Sequence, residues 1–468
     1  MTKRILAIGL AEADLTDTRA AQIATAMPFL TRLKAQGVHG KTLAIQPLAS
    51  KPLWASVFTG VEPQDHGIWG NSVRNKDGSR ARISPKNLMA PPLWTLLEEN
   101  GLSVSTFNVD LLEPTQGSKG FHVFSTGRPG VEPDQVFPPA TYQGLCEKFG
   151  AWTVKTRARA KDDWASILPA EIEEKSEVLS DLLATHSWDF AAIRIVDLAQ
   201  AQHRFWGDNG QTLTNIYTAL DALIERIVTE AGPETTVFVF SECGAGPIRY
   251  AVDLNTWLEA EGFLVRQKTT VGALGTVLAR LHKSLRKFIP KSLKLTDLKF
   301  RVRSRISDTG IDWTRTKAYA LGDTSEIYLN VPPEDRKVVL EDIKSRLLTL
   351  KDPSGNRAIE DVLLPVQADR VDHIYPDALI VWDDDAYMPM ESFEKEKAVF
   401  CEWNPEFPGW TYPGCHRRHG MLMVQAPGAK ASDIGTVNIV DFVPTWLELL
   451  GVGTPSHITG ASFANHLK

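Results

Sequence analysis

Apolar residues along the chain fall into two patterns: short continuous runs, and longer stretches with an apolar residue every three or four positions. The short runs are rich in β-branched and aromatic residues, which predicts buried strands. The longer stretches have the spacing of amphipathic helices, and two of them end at Gly37 and Gly232, as helices commonly do. The predicted strands are 4–10, 39–49, 102–109, 189–198, 235–240, 326–331, 377–383 and 420–428, and the predicted helices are 27–37, 92–101, 214–232 and 441–451.

Strands that alternate with helices indicate an α/β fold, in which a largely parallel central sheet is covered by helices on both faces. In such sheets, ligands bind at the carboxyl ends of the strands. This rule places Ala11, Ala199 and the pair Glu242 and Cys243 at one edge of the sheet. Because a carboxylate and a thiol can both bind metal, and a thiol can also attack a substrate, this pair is a candidate for function.

The composition is that of an ordinary soluble protein, with 468 residues, 43% hydrophobic and 23% charged. A net charge of −6 gives no reason to expect nucleic acid or a membrane as partner. The first apolar run is short and ends at acids, so it predicts a strand rather than a signal peptide. No segment reaches the ~18 apolar residues of a membrane span, and we expect a cytoplasmic protein. The cysteines are too few and too scattered for a disulfide scaffold: Cys146, Cys243, Cys401 and Cys415.

The length predicts one α/β domain over residues 1–468, with cap insertions at 142–183 and 266–310. The first insertion is charged and helical in pattern. The second contains a strongly basic stretch, 266–305, in which apolar residues at helical spacing alternate with lysine and arginine. This stretch either docks to an anionic surface or packs its apolar face on the domain as a solvated helix.

Residues 47–71, PLASKPLWASVFTGVEPQDHGIWGN, carry the clearest chemical signal. Ser50 follows a predicted strand and precedes a helix-like stretch, so its hydroxyl would lie beside the unpaired N–H groups and positive dipole end of a helix. That setting can stabilise an alkoxide or bind an anionic ester. On these residues alone, however, a simple helix N-cap is the favoured interpretation.

Ser50, Pro52, Thr59 with Gly60, and the turn at 63–68 resemble the pattern of a known family. This is the type I phosphodiesterase and nucleotide pyrophosphatase branch of the alkaline phosphatase superfamily. The resemblance continues through RILAIGL, HRFWGD, FSECGAGPIRYAVDLNTWLEAEGFL and VDFVPTWLELLG. It implies an alkaline-phosphatase-like three-layer α/β sandwich with a central, largely parallel sheet and a cap. His66, within the turn, is interpreted as a structural hydrogen-bonding group.

The resemblance also implies a set of metal ligands. The family holds two divalent metals, usually zinc, about 4 Å apart, which clamp the attacking and leaving oxygens. Its ligands are an Asp after the first strand, a Thr or Ser nucleophile, an Asp-x-x-x-His element, an Asp-His pair and a late His. In this sequence Ser50, His203 and His416 match, whereas Ala11 and Ala199 stand where aspartates are expected.

The remaining family positions are also altered. Glu242 and Cys243 stand in place of the Asp-His pair. Glu12 adjoins Ala11, but on an extended strand a neighbouring side chain would point to the other face. Asp14 and Asp197 lie nearby in sequence, and whether either replaces a lost aspartate is left open.

Because each missing ligand weakens metal binding, a two-zinc phosphodiesterase is not expected. The remaining groups suit at most one divalent metal, zinc or iron, or none. His203, His416, Glu242 and Cys243 can form a tetrahedral zinc site, and without the thiol the other three suit iron(II). In metal-free chemistry, Cys243 or Ser50 is the catalytic nucleophile, activated by a histidine. Alternatively, the altered residues only fill former ligand space.

Lys51, Asn71 and Arg417 are predicted to bind the substrate, which we expect to be a small anion. Two classes of function follow. The first is a divergent phosphodiesterase-like enzyme, a hydrolase or group-transfer catalyst acting on a phospho- or sulfo-ester or another small anionic metabolite. The second is a pseudoenzyme that keeps the fold to bind an anionic ligand or a protein. The enzyme is slightly favoured because glutamate and cysteine still coordinate or react.

Overall fold

The computed structural model divides the chain into two compact units. The first comprises Met1–Ile68, Ser84–Ile248 and Trp403–Lys468, and the second comprises Trp69–Ile83 and Arg249–Glu402. The structure describes residues 4–13, 20–75, 80–111, 119–124, 131–152, 154, 161–207, 210–267, 310–321, 324–365, 373–383, 385–390, 398–404 and 413–468.

Helices and strands alternate along most of the first unit. Within the described residues, the helices are α1 (Ala20–Ala26), α2 (Pro28–Gln36), α3 (Ser50–Thr59), α4 (Pro63–His66), α5 (Leu93–Glu99), α6 (Pro139–Phe149), α7 (Lys161–Thr185), α8 (Asp197–Phe205), α9 (Gln211–Ala231), α10 (Leu254–Ala260), α11 (Pro333–Leu347) and α12 (Phe442–Leu450). The strands are β1 (Arg4–Leu10), β2 (Val38–Leu43), β3 (Ser72–Asn75), β4 (Arg80–Arg82), β5 (Val104–Phe107), β6 (His122–Val123), β7 (Val136–Phe137), β8 (Phe190–Ile195), β9 (Thr235–Phe240), β10 (Gly244–Pro247), β11 (Tyr250–Val252), β12 (Ala318–Ala320), β13 (Glu326–Leu329), β14 (Ile359–Leu363), β15 (His373–Ile374), β16 (Ala378–Trp382), β17 (Tyr387–Pro389), β18 (Phe400–Glu402), β19 (Gly414–Arg417), β20 (His419–Gln425) and β21 (Ser432–Asn438).

The central sheet lies in the first unit and, within the described residues, has nine strands in the order β21-β2-β20-β9-β1-β8-β5-β6-β7. Strand β1 pairs in parallel with both β8 and β9, and β8 pairs in parallel with β5. Strand β20 is antiparallel to β2 and to β9. The predicted α/β fold with a largely parallel central sheet is therefore confirmed.

Two apolar layers cover the faces of this sheet, because successive side chains on a strand point to opposite faces. On β1, Leu6, Ile8 and Leu10 face one layer, whereas Ile5 and Ala7 face the other. The first layer takes its buried residues from α1, α2, α6, α7, α8 and α9, and the second takes them mainly from α3, α5 and α12. This arrangement is the three-layer sandwich that the sequence predicted.

Helix α3 lies close against the sheet because β1 carries a glycine at the point of contact. A Cβ built on Gly9 would lie 2.3 Å from Cη2 of Trp54, a distance that no side chain tolerates. Trp54 itself is buried beside Phe240 of β9. Helix α3 ends at Gly60, which adopts the left-handed conformation that terminates helices (φ 69°). Gly9 therefore sets how near the first residues of α3 come to the ends of the strands.

The second unit contains smaller sheets and its own apolar cluster. Strands β12, β13, β16 and β14 pair antiparallel, and β11 lies between β17 and β18. The predicted strands at 326–331 and 377–383 correspond to β13 and β16. They thus belong to an antiparallel sheet of the second unit rather than to the central sheet. The sequence could not distinguish the two sheets, because a short apolar run does not indicate which sheet the strand joins.

The first predicted insertion, 142–183, forms parts of α6 and α7 in the first unit. Leu168, Ile172 and Leu179 of α7 are fully buried in an apolar layer of the sheet. The second insertion lies almost entirely outside the described residues, as does the basic stretch within it. The division into one domain with two insertions stays a prediction. No helix among the described residues is both long and apolar enough to span a membrane.

Candidate functional site

The chain turns sharply after β1, and this turn positions Glu12. Ala11 continues the line of the strand and donates its N–H to Ile195 O at 2.9 Å. Glu12 then adopts a left-handed conformation (φ 60°), which is uncommon for a residue with a side chain. Gln202 Nε2 donates to Glu12 O at 2.8 Å and holds the turn in place. Strand alternation therefore stops before Glu12, and the expectation that its side chain points away from the site is wrong.

The carboxylate of Glu12 meets two imidazoles. Glu12 Oε2 lies 2.8 Å from His203 Nε2, and Glu12 Oε1 lies 3.0 Å from His416 Nε2. His203 comes from α8 and His416 from β19, whose pairing with β10 fixes its place. The three ligand atoms lie within 4.8 Å of one another. Helix α8, strand β19 and the turn after β1 thus assemble a group of two histidines and one carboxylate.

Both imidazoles are oriented by backbone carbonyls. His203 Nδ1 donates to Gly414 O at 2.8 Å, and His416 Nδ1 donates to Leu48 O at 2.7 Å. Because a carbonyl only accepts, Nδ1 carries a proton in each ring and Nε2 is the atom presented to Glu12. Metal-binding histidines in proteins are commonly oriented in this way.

The close contact shifts the pKa values of Glu12 and His416 in opposite directions. Burial opposes ionisation of Glu12, but the adjacent His203 and His416 outweigh it and hold the pKa of Glu12 well below its usual range. Burial likewise opposes protonation of His416, yet the charge and hydrogen bond of Glu12 raise the pKa of His416 to about 9. Without a metal, a proton on His416 therefore balances the charge of Glu12.

The residues present fit one divalent ion. Glu12 Oε2 is buried, and its partner among the described residues is His203 Nε2, which lies 2.8 Å away as an ion pair without the alignment of a hydrogen bond. Two imidazole nitrogens and a carboxylate are a donor set that binds zinc or iron(II). Two further ligand positions of the family are occupied by Ala11 and Ala199, which are buried in an apolar layer and cannot bind a metal.

Glu242 adjoins this three-residue group but is not one of its members. Its Oε1 accepts from Trp54 Nε1 at 2.9 Å, and its Oε2 accepts from Glu12 N at 3.2 Å. Burial, followed by the nearby charge of Glu12, raises the pKa of Glu242 to about 7, while Arg194 opposes the rise. The structure therefore places Glu242 as a support for the Glu12 turn and not among the candidate metal ligands.

Cys243 is also outside the three-residue group. It is fully buried in the same apolar layer as Ala11 and Ala199. A catalytic thiol has to reach its substrate, and an apolar setting disfavours the thiolate that attacks. This placement favours the interpretation of Cys243 as a small buried side chain over that of a nucleophile or ligand.

Ser50 is the first residue of α3, and the N-cap position is held by Ala49. The hydroxyl is therefore not the helix cap that the sequence alone favoured. Instead, Ser50 Oγ accepts a hydrogen bond from Arg194 Nη2 at 2.8 Å. A hydroxyl that lies at a helix N-terminus and receives a bond from a guanidinium is stabilised when it carries negative charge.

Arg194 was missed by the sequence analysis. It lies on β8, on the same face as Phe190 and Ala192, and its side chain is 6% exposed. Arg194 Nη1 donates to Asp110 Oδ2 at 2.6 Å, and its guanidinium carbon lies 4.9 Å from the centre of the Trp54 ring. The available signal was a single arginine within the apolar run FAAIRI, because a charge in a central strand requires a partner.

The other predicted residues belong to separate elements of the chain. Lys51 follows Ser50 on α3 and is half-buried, and Asn71 is exposed in the second unit. The guanidinium of Arg417 bonds to the backbone of Pro247 and His416. Their predicted role in substrate binding stays a prediction.

The sequence left open whether Asp14 or Asp197 replaces one of the missing aspartates. Asp14 lies outside the described residues. Asp197 is fully buried and forms an ion pair with Lys175 of α7, so its carboxylate is already engaged away from the histidines. Asp197 therefore does not replace a lost metal ligand in this structure.

His66 makes the contacts expected of a structural group. Its Nδ1 accepts from Ile68 N at 3.0 Å, so Nε2 carries the proton and donates to Ser56 Oγ at 3.0 Å. Burial lowers the pKa of His66 to about 3. The imidazole is thus neutral at ordinary pH and ties the turn after α3 to the helix.

The sequence pattern of the family described as type I phosphodiesterase / nucleotide pyrophosphatase matches residues 13–421. No curated protein sequence matches the chain. Among solved structures, the fold is similar to that of murine ectonucleotide pyrophosphatase / phosphodiesterase 5, an inactive threonine-to-alanine variant in complex with AMP. The TM-score is 0.55 at 11% identity over 99% of this chain and 98% of the murine chain, so this likeness shows the fold alone. Because the family pattern spans most of the sequence, the chain belongs to the type I phosphodiesterase / nucleotide pyrophosphatase family.

Proposed function

We propose that this protein hydrolyses a phosphodiester or pyrophosphate bond in a small anionic substrate, with Ser50 as the nucleophile and at most one divalent metal. The proposal is supported by the family and by one observation above all. His416, a member of the candidate metal group, bonds through Nδ1 to Leu48 O, two residues before Ser50. The candidate nucleophile and the candidate cation site are therefore parts of one connected structure.

Ser50 Oγ attacks phosphorus and loses its proton, a serine–phosphorus ester forms, and the bond from phosphorus to the leaving oxygen breaks as that oxygen gains a proton. Water then cleaves the ester and restores the hydroxyl. The N-terminus of α3 favours the negative charge that gathers on the phosphoryl group. Cys243 therefore has no role in the proposed reaction.

Glu12, His203 and His416 would hold the metal, with zinc or iron(II) as the fitting ions. When bound, the ion supplies Lewis acidity toward a substrate oxygen. The backbone bonds at Nδ1 keep each Nε2 available, and Glu242 holds the N–H of Glu12. A nucleotide ester is the first substrate class to test, since the murine protein of similar fold was solved with AMP.

A pseudoenzyme is the second candidate, and one observation favours it. Glu12 is already ion-paired with both histidines, and the raised pKa of His416 lets a proton neutralise it. The group is thus stable without a cation. In this case the protein would bind an anionic ligand without turning it over. A cytoplasmic location is part of both proposals.

Metal content and turnover together test the proposal. The purified protein would be analysed for zinc and iron, reconstituted with each, and assayed with bis(p-nitrophenyl) phosphate and a p-nitrophenyl ester of AMP. We expect turnover that is lost in Ser50→Ala and kept in Cys243→Ala, the matched control for the other predicted nucleophile. No turnover with either metal and either substrate would favour the pseudoenzyme, and turnover that persists in Ser50→Ala would exclude Ser50 as nucleophile.

A further inference from the structure

Arg194 is placed unusually for a buried arginine. Within β8 it is the one charged residue, and its backbone is paired in register with Gly9 of β1. It lies on the α3 face of the sheet within a layer of mainly apolar side chains, close enough to Glu242 for its charge to act on that carboxyl group. Burying a guanidinium in such a layer is unfavourable unless its charge and its donors are used.

The contacts of Arg194 use only part of its donor capacity. Nη1 is bonded to Asp110 and Nη2 to Ser50 Oγ. Nε is buried and has no hydrogen-bond partner within the part of the chain that the structure describes. The ion pair with Asp110 alone does not account for the second contact, in which Nη2 donates to the hydroxyl of Ser50.

The guanidinium and the helix converge on the same atom. Ser50 Oγ begins α3, a helix of ten residues, so the positive end of the helix dipole lies beside it. A planar guanidinium is well suited to a tetrahedral oxyanion, because its donors match two oxygens at once.

We infer that Arg194 is the oxyanion-binding residue of the Ser50 site, and that it binds a phosphoryl group without needing a metal. The inference rests on the proposed function for the chemistry of the ligand. A phosphoryl group bonded to Ser50 Oγ has its other oxygens next to the nitrogen that now donates to Oγ. Asp110 acts as a positioning residue, because it holds Nη1 and leaves the rest of the guanidinium for the ligand.

The first test measures binding of inorganic phosphate to the full-length protein after treatment with a chelator. Calorimetry would compare the wild type with Arg194→Gln, Arg194→Lys and Arg32→Gln, which replaces an exposed arginine of α2. We expect the wild type and Arg32→Gln to bind phosphate alike, and Arg194→Gln to bind about tenfold or more weakly, the range of a lost charge-assisted contact. Arg194→Lys, which keeps the charge but not the planar fork, should fall between them.

Two results overturn the inference: no phosphate binding by the chelator-treated wild type, or equal binding by wild type and Arg194→Gln. Circular dichroism verifies that each variant is folded. If Arg194→Gln does not fold, Arg194→Lys decides the matter, since its charge still pairs with Asp110. Equal phosphate affinity of Arg194→Lys and wild type then counts against the planar recognition proposed here.

The second test separates this inference from the proposed function. In the turnover assay, Arg194→Ala should lose activity, and millimolar guanidinium ion should partly restore it. Asp110→Asn keeps the side chain of Arg194, so added guanidinium ion should affect its activity little, whereas its KM should rise. Turnover through Ser50 with unchanged kcat and KM in Arg194→Ala would overturn the inference and leave the proposed function intact. Phosphate binding that depends on Arg194, without any turnover, would support the inference and overturn the proposed function.

Discussion

Glu12 Oε1 and His416 Nε2 lie 3.0 Å apart, although 404 positions separate the two residues in the chain. The contact exists because Glu12 leaves the strand in a left-handed conformation and because β19 places His416 over the same edge. The other carboxylate oxygen, Glu12 Oε2, lies 2.8 Å from His203 Nε2. Glu12 is therefore the residue on which the candidate cation site depends.

Glu12→Gln should weaken zinc binding severely, since it removes the only carboxylate of the three-residue group. We expect a loss of about 100-fold or more in affinity, beyond the effect typical of a group that only supports a ligand. Competition with a chromogenic chelator measures it. Glu225→Gln, an exposed carboxylate on α9, is the control and should match the wild type. Equal zinc affinity of Glu12→Gln and wild type would show that zinc is bound elsewhere.

His66 should make the protein lose stability in mild acid. The pKa of His66 is about 3 in the folded protein and near 6.5 in the unfolded chain. Below pH 6.5, His66 therefore binds a proton in the unfolded state but not in the folded state. The free energy of unfolding therefore falls as the pH drops from about 6.5 toward about 3, by at most about 1.4 kcal/mol per pH unit for this one proton.

Urea unfolding at several pH values between 7 and 4 would show this slope, and His66→Gln should reduce it whatever its effect on stability at pH 7. His457→Gln, which replaces an exposed histidine, should keep the slope of the wild type. A slope that is the same in His66→Gln and wild type would contradict the assignment.

Gly9→Ala should destabilise the first unit. The added methyl group would lie 2.3 Å from the Trp54 ring, so the indole or the strand has to move. Overpacking of this kind costs about 1–3 kcal/mol. Thermal unfolding measures the change.

Gly144→Ala is the matched control, because nothing lies within 4 Å of a Cβ added there. Gly144 is inside α6, where alanine should stabilise by up to about 1 kcal/mol. If Gly9→Ala and Gly144→Ala shift the melting temperature in the same direction, the close packing of α3 on β1 is not as described.

Lys175→Met should be among the more damaging single changes outside the site. Lys175 and Asp197 are both almost fully buried, so methionine leaves Asp197 as an unpaired buried charge. Breaking a buried pair in this way costs about 3–5 kcal/mol. The double variant Lys175→Met with Asp197→Leu should recover most of the stability in chemical unfolding.

Lys148→Met provides the comparison on the surface, where Lys148 is paired with Asp181 and is well exposed. Exposed pairs contribute about 1 kcal/mol or less. Loss of similar size in Lys148→Met and Lys175→Met would contradict the buried pairing.

The fold was predictable because its signals are local. The runs RILAIGL, FAAIRI and TTVFVF are apolar throughout, as strands covered on both faces must be, and they became β1, β8 and β9. The runs EIYL and ALIVW look the same in sequence but pair antiparallel in the second unit. Periodicity indicates that a strand is buried and says nothing about the sheet that buries it.

The site was only half predictable, for a similar reason. His203, His416 and Ser50 were found because their sequence contexts match the family. Glu12 was rejected on strand alternation, which fails where one residue takes a positive φ. Arg194 was overlooked because its partners, Asp110 and Ser50, are far from it in sequence.

The position of β2 also governs when the site can exist. Strand β2 pairs on one side with β20 and on the other with β21, both of which are near the end of the chain. His416 precedes β20 by only a few residues. During synthesis, β2 therefore lacks both of these neighbours, and Glu12 has only one of its two imidazoles, until β19, β20 and β21 have been made. The three-residue group consequently cannot form before residue 416 is made, and until β20 follows, β9 is an edge strand among the described strands of the central sheet.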